Sequence, residues 1–179
     1  MIKFANKLRD ELTEKENINF SVGDIRNIKF EDNKFDIVYT TRVIINLPTW
    51  EDQIQAMDEC FRVVKPGGKV IFSEAFYEPL ILLNAMRLIK QLPPLVEHDF
   101  NRYIKKEKIE KYLTNKGLSF ECDEFSSIYY LGSRFLRELV TNPSDYKGYS
   151  NPINEIFYEI EKKYSGGGFG IQQAYIIKK

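Results

Sequence analysis

Two groups of polar residues follow predicted strands at points where they could bind a ligand. Gly23-Asp24 comes directly after Ile18–Val22, in which apolar and polar residues alternate, and Thr40-Thr41-Arg42 ends the apolar run that begins at Phe35. In an open α/β sheet, the loops at the carboxyl ends of the strands line the crevice in which ligands bind. We therefore expect the aspartate and Thr41 to face a common crevice.

A third group, Arg62 to Gly68, precedes a strand instead of following one. It reads Arg-Val-Val-Lys-Pro-Gly-Gly and falls between a predicted helix and the apolar run that begins at Lys69. Proline and glycine end helices and turn the chain. We assign this group a structural role at the edge of the sheet opposite the crevice.

The other residues that could carry chemistry form no recognisable site. His98 is the one histidine, and Cys60 and Cys122 lie far apart in the chain, which gives a Cys/His zinc site no support. Both cysteines are predicted to be reduced core residues. His98 is either an exposed loop residue or a catalytic base. The glycine run from Ser165 to Gly170 leads into a strand, which favours a turn over a phosphate-binding loop.

The elements that must position these residues follow from the spacing of the apolar side chains. Helices are predicted over 1–14, 49–65, 79–92, 105–116, about 133–140 and from Asn151 onwards, and strands over 18–22, 35–40, 69–73, 118–125 and 171–177. Thr49 is the expected N-cap of the second helix, with a buried stripe of Trp50, Ile54, Met57, Phe61 and Val64. The last helix is expected to bury Ile153, Ile156, Phe157, Ile160 and Tyr164. Strand, helix and strand in succession predict a parallel crossover.

The composition excludes several classes of protein. The chain has 179 residues, of which 43% are hydrophobic and 29% charged, which is typical of one globular domain. Its 26 basic and 26 acidic residues cancel, so no net charge draws it to nucleic acid or to an anionic membrane. No apolar run reaches the roughly 20 residues that span a bilayer, and the first residues do not resemble a signal peptide. We expect a cytoplasmic location.

The order of these motifs resembles that of a class I S-adenosylmethionine-dependent methyltransferase. The resemblance is carried by the strand Phe35–Tyr39, the helix after it and the Arg62 to Gly68 group at the distance typical of this family. It implies an α/β fold, with a Rossmann-like, mostly parallel sheet flanked by helices and closed by an antiparallel C-terminal strand pair. Residues 1–179 would form one domain, with segments 76–104 and 126–165 covering the acceptor.

The resemblance also implies roles for individual residues. Asp24 matches the acid that accepts a hydrogen bond from the adenine of S-adenosylmethionine, beside the Ile25 backbone, while Thr40, Thr41 and Arg42 match the loop that passes its sulfonium. The residues that would bind the substrate are Asn46, Phe76, Tyr103 and Tyr129. The candidates for a catalytic base are Glu74, His98 and Tyr103. No metal is expected.

One part of the family pattern has no counterpart in this sequence. The first strand, its glycine-rich loop, the next helix and the acid that ends the second strand would all precede Met1. Because that loop and acid bind the methionine and ribose parts of the cofactor, we expect weak or no binding of S-adenosylmethionine. The sequence would then be a fragment, or its sheet would be rearranged or completed by a partner, since the missing strands leave an exposed edge.

Two functions of different classes follow. The first is a methyltransferase that acts on a small-molecule acceptor and is inactive as this truncated chain, with no nucleic-acid or membrane partner. The second is a non-catalytic binding or assembly protein that keeps the scaffold and forms homo-oligomers through the exposed sheet edge. An NAD oxidoreductase is a third and weaker alternative, because its fingerprint is equally absent.

Overall fold

A computed structural model describes residues 2–141 and 151–179 and places an α/β sandwich in them. The strands are β1 (Phe35–Thr41), β2 (Val64–Ala75), β3 (Phe120–Asp123) and β4 (Gln172–Lys178). The helices are α1 (Ile2–Asp10), α2 (Trp50–Val63), α3 (Tyr77–Ile89), α4 (Lys106–Asn115), α5 (Ser127–Leu131), α6 (Arg137–Val140) and α7 (Ile153–Glu161). A π-helical turn, Gly132–Leu136, joins α5 to α6, and a 3₁₀ turn, Ile44–Asn46, follows β1.

The four described strands form one sheet in the order β1-β2-β4-β3. β1 and β2 are parallel, which confirms the crossover through α2, and β4 runs antiparallel to both β2 and β3. The α/β class and the antiparallel C-terminal pair are therefore confirmed. The described sheet is mixed, with one parallel pair and two antiparallel pairs.

One face of the sheet is covered by α2 and α4. Val70, Phe72 and Glu74 of β2 and Gln173, Tyr175 and Ile177 of β4 are fully buried there. The ring of Phe61 on α2 meets the ring of Phe72 edge-on, with centroids 5.8 Å apart. The hydroxyl of Tyr175 donates to Glu110 of α4 at 2.7 Å. We call these residues of β2 and β4, with Val38 and Thr40 of β1, the covered face.

The opposite side of the same strands is open. Ile37 and Tyr39 of β1 are 57% and 72% exposed, and Ile71 of β2 and Ile176 of β4 are half-buried. Tyr39, Ile71 and Ile176 are register partners and so lie in one row across the sheet. These four residues define the open face. No helix among the described residues is long and apolar enough to cross a membrane.

Helix α2 begins and packs as its sequence predicts. The Thr49 hydroxyl accepts the backbone N–H of Asp52 at 3.1 Å, which satisfies one of the amide donors that a helix N-terminus leaves unpaired. Met57 and Phe61 are buried, and Trp50 and Ile54 are partly buried. Val64, the last residue of the predicted stripe, is buried as the first residue of β2, because the helix ends at Val63. After α2 the chain enters β2 directly, with Gly67 at φ +78 allowing the turn that proline and glycine were expected to make.

The N-terminal predictions are only partly right. Residues 18–22 form no strand, although the sequence alternates, because no described strand lies beside them to share hydrogen bonds. Val22 is 85% exposed. Helix α1 ends at Asp10, short of the predicted Glu14, and buries none of its residues.

Three further predictions are corrected near the C-terminus. The stripe of α7 is wrong: Ile156, Ile160 and Tyr164 are exposed, while Asn154 and Glu161 are buried. Tertiary contacts decide this, since Phe157 packs so closely on Gly132 that a Cβ atom there would overlap its ring. The helix predicted around 133–140 begins earlier, at 127. Of the cysteines, Cys60 is buried, but Cys122 lies on the edge strand β3 and is exposed.

Candidate functional site

The loop after β1 wraps around one buried carboxylate, that of Glu74. Its Oε1 accepts the hydroxyl of Thr40 at 2.6 Å and the backbone N–H groups of Val43 at 3.1 Å and Ile44 at 3.2 Å. The other oxygen, Oε2, accepts the backbone N–H of Ile45 at 3.3 Å. A single side chain from β2 thus replaces the backbone partners that this loop lacks.

Burial raises the pKa of Glu74, although the four hydrogen bonds act in the opposite direction. The side chain is fully buried, and both oxygens are engaged by the loop. A base must reach the proton that it removes. Glu74 therefore acts on the site by positioning the loop, and the structure does not place it against a substrate.

The loop presents Arg42 in an unusual backbone conformation. Arg42 has φ +53, in the left-handed region that residues with side chains seldom adopt. Its N–H donates to the carbonyl of Ser73 at 2.9 Å, and its own carbonyl accepts the side-chain amide of Asn46 at 2.6 Å. These bonds fix the backbone of Arg42, and its side chain lines a pocket at the carboxyl ends of β1 and β2.

This pocket, which we call the cover pocket, has a volume of about 460 Å³. Its lining combines two arginines, two tyrosines and a histidine with aliphatic side chains: Arg42, Leu80, Leu95, Val96, His98, Tyr103, Tyr130, Arg134 and Ile171. All but Arg42 and Ile171 come from segments 76–104 and 126–165, of which residues 142–150 lie outside the described part of the chain. A cavity of this size suits a small molecule.

Buried polar contacts hold the walls of the cover pocket. Arg87 of α3 is 4% exposed, forms an ion pair with Glu138 at 2.9 Å and donates to the carbonyl of Pro93 at 2.7 Å and to that of Arg134. Asn84 and Leu95 exchange two hydrogen bonds, of 2.9 and 2.8 Å. These bonds tie α3, the loop after it and the π-helical turn into one unit.

The two tyrosines of the cover pocket share an electrostatic environment. Burial raises the pKa of both Tyr103 and Tyr130, while the charges of Arg42 and Arg134 lower it. The backbone N–H of Tyr103 donates to the Glu97 carboxylate at 2.7 Å. Raised pKa values keep both phenols protonated near neutral pH, so they can donate hydrogen bonds to a ligand.

Asp24 lies at the same end of the sheet but outside the cover pocket. Its carboxylate accepts the backbone N–H and the guanidinium of Arg26, which also pairs with Asp52 at the start of α2. Arg26 lowers the pKa of Asp24 to about 2, so the side chain stays ionised. Helix α2 starts beyond the carboxyl end of β1. Because Arg26 joins Asp24 to the start of this helix, Asp24 and Thr41 lie toward the same end of the sheet. Ile25 packs against the core.

Several residues predicted to contact the ligands have other roles. Phe76, predicted as a substrate residue, is fully buried, stacks on Tyr175 with centroids 5.0 Å apart and does not line the cover pocket. Tyr129 does not line the cover pocket, whereas its neighbour Tyr130 does. Thr40 is buried and bonded to Glu74, which leaves Thr41 as the exposed threonine of the loop. Asn46 supports the Arg42 carbonyl from outside the pocket.

The structure brings together Arg42, His98 and Tyr103 from the predicted set and adds Tyr130 and Arg134. His98 is exposed, and its ring is parallel to that of Phe100 at 5.4 Å. A signal for the missed pair was present in the sequence, because Tyr130 and Arg134 are four residues apart and so share one helix face. The sequence analysis assigned the neighbouring Tyr129 to the substrate instead.

The glycine run binds a carboxylate of the chain itself. Gly166, Gly167 and Gly168 all have positive φ and lead into β4, as expected for a turn. The N–H of Gly168 donates to Glu124 at 2.9 Å. No group of three or more potential metal ligands occurs within residues 2–141 and 151–179.

The sequence matches a family model and several curated proteins, and the fold matches solved structures. The model of the family described as "Methyltransferase domain" matches residues 1–72. An uncharacterized methyltransferase of Schizosaccharomyces pombe is 43% identical over 70 residues, which cover 37% of this chain and 24% of that protein. A ubiquinone biosynthesis O-methyltransferase of Pseudomonas fluorescens is 33% identical over 89 residues, or 48% of this chain and 37% of that protein.

Among solved structures, a SAM-dependent methyltransferase from Archaeoglobus fulgidus superposes with a TM-score of 0.55 over 95% of this chain and 71% of that chain. At 16% identity this likeness shows the fold alone. The matched regions amount to 24% and 37% of the length of the two curated relatives.

Proposed function

We propose that this chain contributes the acceptor-binding part of a class I S-adenosylmethionine-dependent methyltransferase and acts on a small molecule. Its likeness to these enzymes is confirmed in sequence and in fold. The observation that carries the proposal is the cover pocket, because it joins the loop after β1 to segments 76–104 and 126–165. These are the places where the resemblance puts the sulfonium loop and the cover of the acceptor.

The residues present fit part of this cofactor. The Asp24 carboxylate is half exposed, so it can accept a further hydrogen bond from an adenine amino group despite its contact with Arg26. Thr41 and Arg42 are within the loop that the resemblance assigns to the sulfonium end. Thr40 is already bonded to Glu74, and no described glycine-rich loop opens a helix. We infer that binding of S-adenosylmethionine to this chain by itself is weak.

When bound, S-adenosylmethionine supplies an electrophilic methyl group for in-line transfer to a nucleophile. The chain's own contribution is to hold the acceptor close to the loop and to exclude water, and positioning of this kind accounts for much of the rate in such reactions. Leu80, Leu95 and Ile171 supply the apolar walls. Of the predicted base candidates, His98 and Tyr103 line the pocket, and Glu74 positions the loop instead.

Calorimetric titration of the 179-residue chain with S-adenosylmethionine tests the cofactor part of the proposal. A charged or polar contact contributes about 1 to 3 kcal/mol, so a site without three such contacts binds about two to six orders of magnitude more weakly than a complete micromolar site. We expect a dissociation constant of about 0.1 mM or weaker. Micromolar affinity would contradict our view of the missing contacts.

A pair of variants shows whether residual binding uses the predicted residue. Asp24→Asn should reduce it, while Asp36→Asn should not. Both acids are exposed and have a pKa lowered by a cationic neighbour, Arg26 or Lys65, but Asp36 lies near the start of β1, away from the crevice. Equal effects of the two substitutions would contradict the assignment of Asp24.

The open face favours the second candidate function, a binding or assembly protein. Ile37 and Tyr39 leave an apolar patch on the edge strand of the described sheet, and edge strands readily pair with other chains. Titration that detects no binding of S-adenosylmethionine, combined with stable self-association of the chain, would support this function over methyl transfer.

A further inference from the structure

The cover pocket brings two guanidinium groups to one cavity whose other lining residues are four aliphatic side chains, two tyrosines and a histidine. Arg42 reaches it from the loop after β1, and Arg134 reaches it from the π-helical turn. The charge of each arginine acts on the pKa of both Tyr103 and Tyr130, which places the four polar groups in one cluster. No aspartate or glutamate is among the described residues that line the cavity.

Among the residues that the structure describes, no carboxylate forms an ion pair with Arg42. Arg26, Arg62 and Arg87 each form an ion pair with an acidic side chain. Within residues 2–141 and 151–179, Arg42 has no acidic side chain within 4.0 Å. The Glu97 carboxylate, which is near Tyr103, accepts a backbone N–H. A half-buried guanidinium without a carboxylate partner is suited to pair with an anion from outside.

The backbone around Arg42 is arranged to keep this side chain in place. Its φ of +53 is unfavourable for a residue with a long side chain, and it persists because the Ser73 carbonyl and the Asn46 side chain hold both of its backbone polar groups. The adjacent residues 43–45 are anchored on the Glu74 carboxylate. The backbone that carries Arg42 is thus fixed beside the pocket before any ligand arrives.

We propose that the cover pocket binds a small molecule that carries an anionic group, a carboxylate or a phosphate, paired with Arg42, and that the charge of Arg134 in the same pocket adds to the attraction. Tyr103 and Tyr130 are placed to donate hydrogen bonds to the same group, and Leu80 and Ile171 contact the apolar remainder. That this molecule is the methyl acceptor depends on the proposed function, whereas the binding of the anion does not. A guanidinium suits both anions, because its paired N–H donors match two oxygens of either.

Three probes of similar shape test the proposal by NMR titration of the full chain at constant ionic strength: benzoate, phenyl phosphate and the neutral benzamide. We expect both anions to shift the amide signals of Arg42, Tyr103 and Tyr130. Because a hydrogen bond to a charged group is stronger than one between neutral groups, we expect benzamide to bind at least about tenfold more weakly than benzoate. Whichever anion binds more tightly identifies the carboxylate or the phosphate as the preferred group.

Matched variants locate the interaction. Arg42→Gln should weaken the binding of both anions about tenfold or more and leave benzamide unchanged, while Arg42→Lys should retain part of the affinity. Arg134→Gln gives an independent test from the other wall if the loop is disturbed by the first substitution. Arg9→Gln, on the exposed helix α1, removes the same charge far from the pocket and should have no effect.

The proposal is overturned if benzamide binds as tightly as benzoate, if neither arginine variant weakens anion binding, or if neither anion shifts the pocket signals. These results are independent of the cofactor titration. Binding of benzoate that depends on Arg42, found together with no binding of S-adenosylmethionine, would uphold the anion site and weigh against methyl transfer. Binding of S-adenosylmethionine without binding of either anion would overturn the anion site and support methyl transfer.

Discussion

The covered and open faces belong to the same three strands, β1, β2 and β4, yet they differ in how completely their apolar residues are buried. On the covered face Phe72 and Tyr175 have no exposed area, because α2 and α4 lie over them. On the open face, Tyr39 is 72% exposed although it is the immediate neighbour of buried Thr40 in the chain. Neighbouring residues of a strand point to opposite faces, so burial in this sheet is decided by the helices.

The open face is exposed although its residues are not polar. Ile37, Tyr39, Ile71 and Ile176 are of the types that strands use when both faces are buried. Yet Ile37 and Tyr39 remain 57% and 72% exposed. An apolar row of this kind is typical of a surface that contacts another part of a protein.

The largest difference between the two faces should be in stability. We expect Phe72→Ala to lower the free energy of unfolding by about 3 to 5 kcal/mol, because it leaves a cavity against Phe61. Tyr39→Ala, on the neighbouring strand, should cost less than about 1 kcal/mol, since the removed ring is mostly in solvent. Urea unfolding followed by the fluorescence of Trp50 measures both. Similar costs would show that the open face is covered in solution.

A smaller effect is expected from the polar residue of the covered face. Glu74→Gln keeps the shape of the side chain but replaces one acceptor oxygen by a donor that faces N–H groups. We expect a loss of about 1 to 3 kcal/mol in the free energy of unfolding. Glu121→Gln, on the exposed edge strand β3, should have little effect and serves as the control.

The cost of Glu74→Gln should also depend on pH. Folding raises the pKa of Glu74 above 4.5, so this carboxyl binds its proton more tightly in the folded chain. Its contribution to stability is then fully present below pH 4.5 and declines as the pH rises through the folded-state pKa. The difference in stability between the wild type and the variant should therefore shrink with rising pH. A difference that grows instead would contradict the direction of the shift.

The smallest effect on stability, and a larger one on association, is expected at the open face. Ile37→Lys should change the free energy of unfolding by less than about 1 kcal/mol and reduce self-association of the chain, because it places a charge on the apolar edge strand. Val22→Lys adds the same charge at another exposed apolar position and is the control. Sedimentation velocity over a range of concentrations measures the association. Equal effects of both substitutions would mean that the open face is not the contact.

The elements that could be predicted from sequence were those with strong local signals. Thr49 begins α2 as expected, and the apolar spacing that follows identifies the buried side of that helix. The strand predicted over 18–22 failed because a strand depends on a neighbour that its own residues cannot specify. The stripe of α7 failed because the close packing of Phe157 on Gly132 turns other residues inward.

The candidate site divides in the same way. Arg42 was predicted from its place in the family pattern and Tyr103, like Phe76, as an aromatic residue of the acceptor cover, and both Arg42 and Tyr103 line the cover pocket. Phe76 was assigned to the ligand by its aromatic type, but its stacking on Tyr175 in the core depends on a strand almost 100 residues away. The link between Glu74 and residues 43–45 joins a strand to a loop by side-chain contact, which no spacing rule describes.

The anchoring of residues 43–45 on Glu74 has a consequence for the timescale on which this loop opens. Surface loops normally exchange their amide hydrogens with solvent quickly, since small local fluctuations expose them. Here the amides of Val43, Ile44 and Ile45 are bonded to a side chain in the interior of the sheet, and two of these residues have no exposed area. We expect their hydrogens to exchange only when the loop breaks its bonds to Glu74 and exposes these amides. In hydrogen-exchange terms this connecting segment belongs to the slow core of the protein.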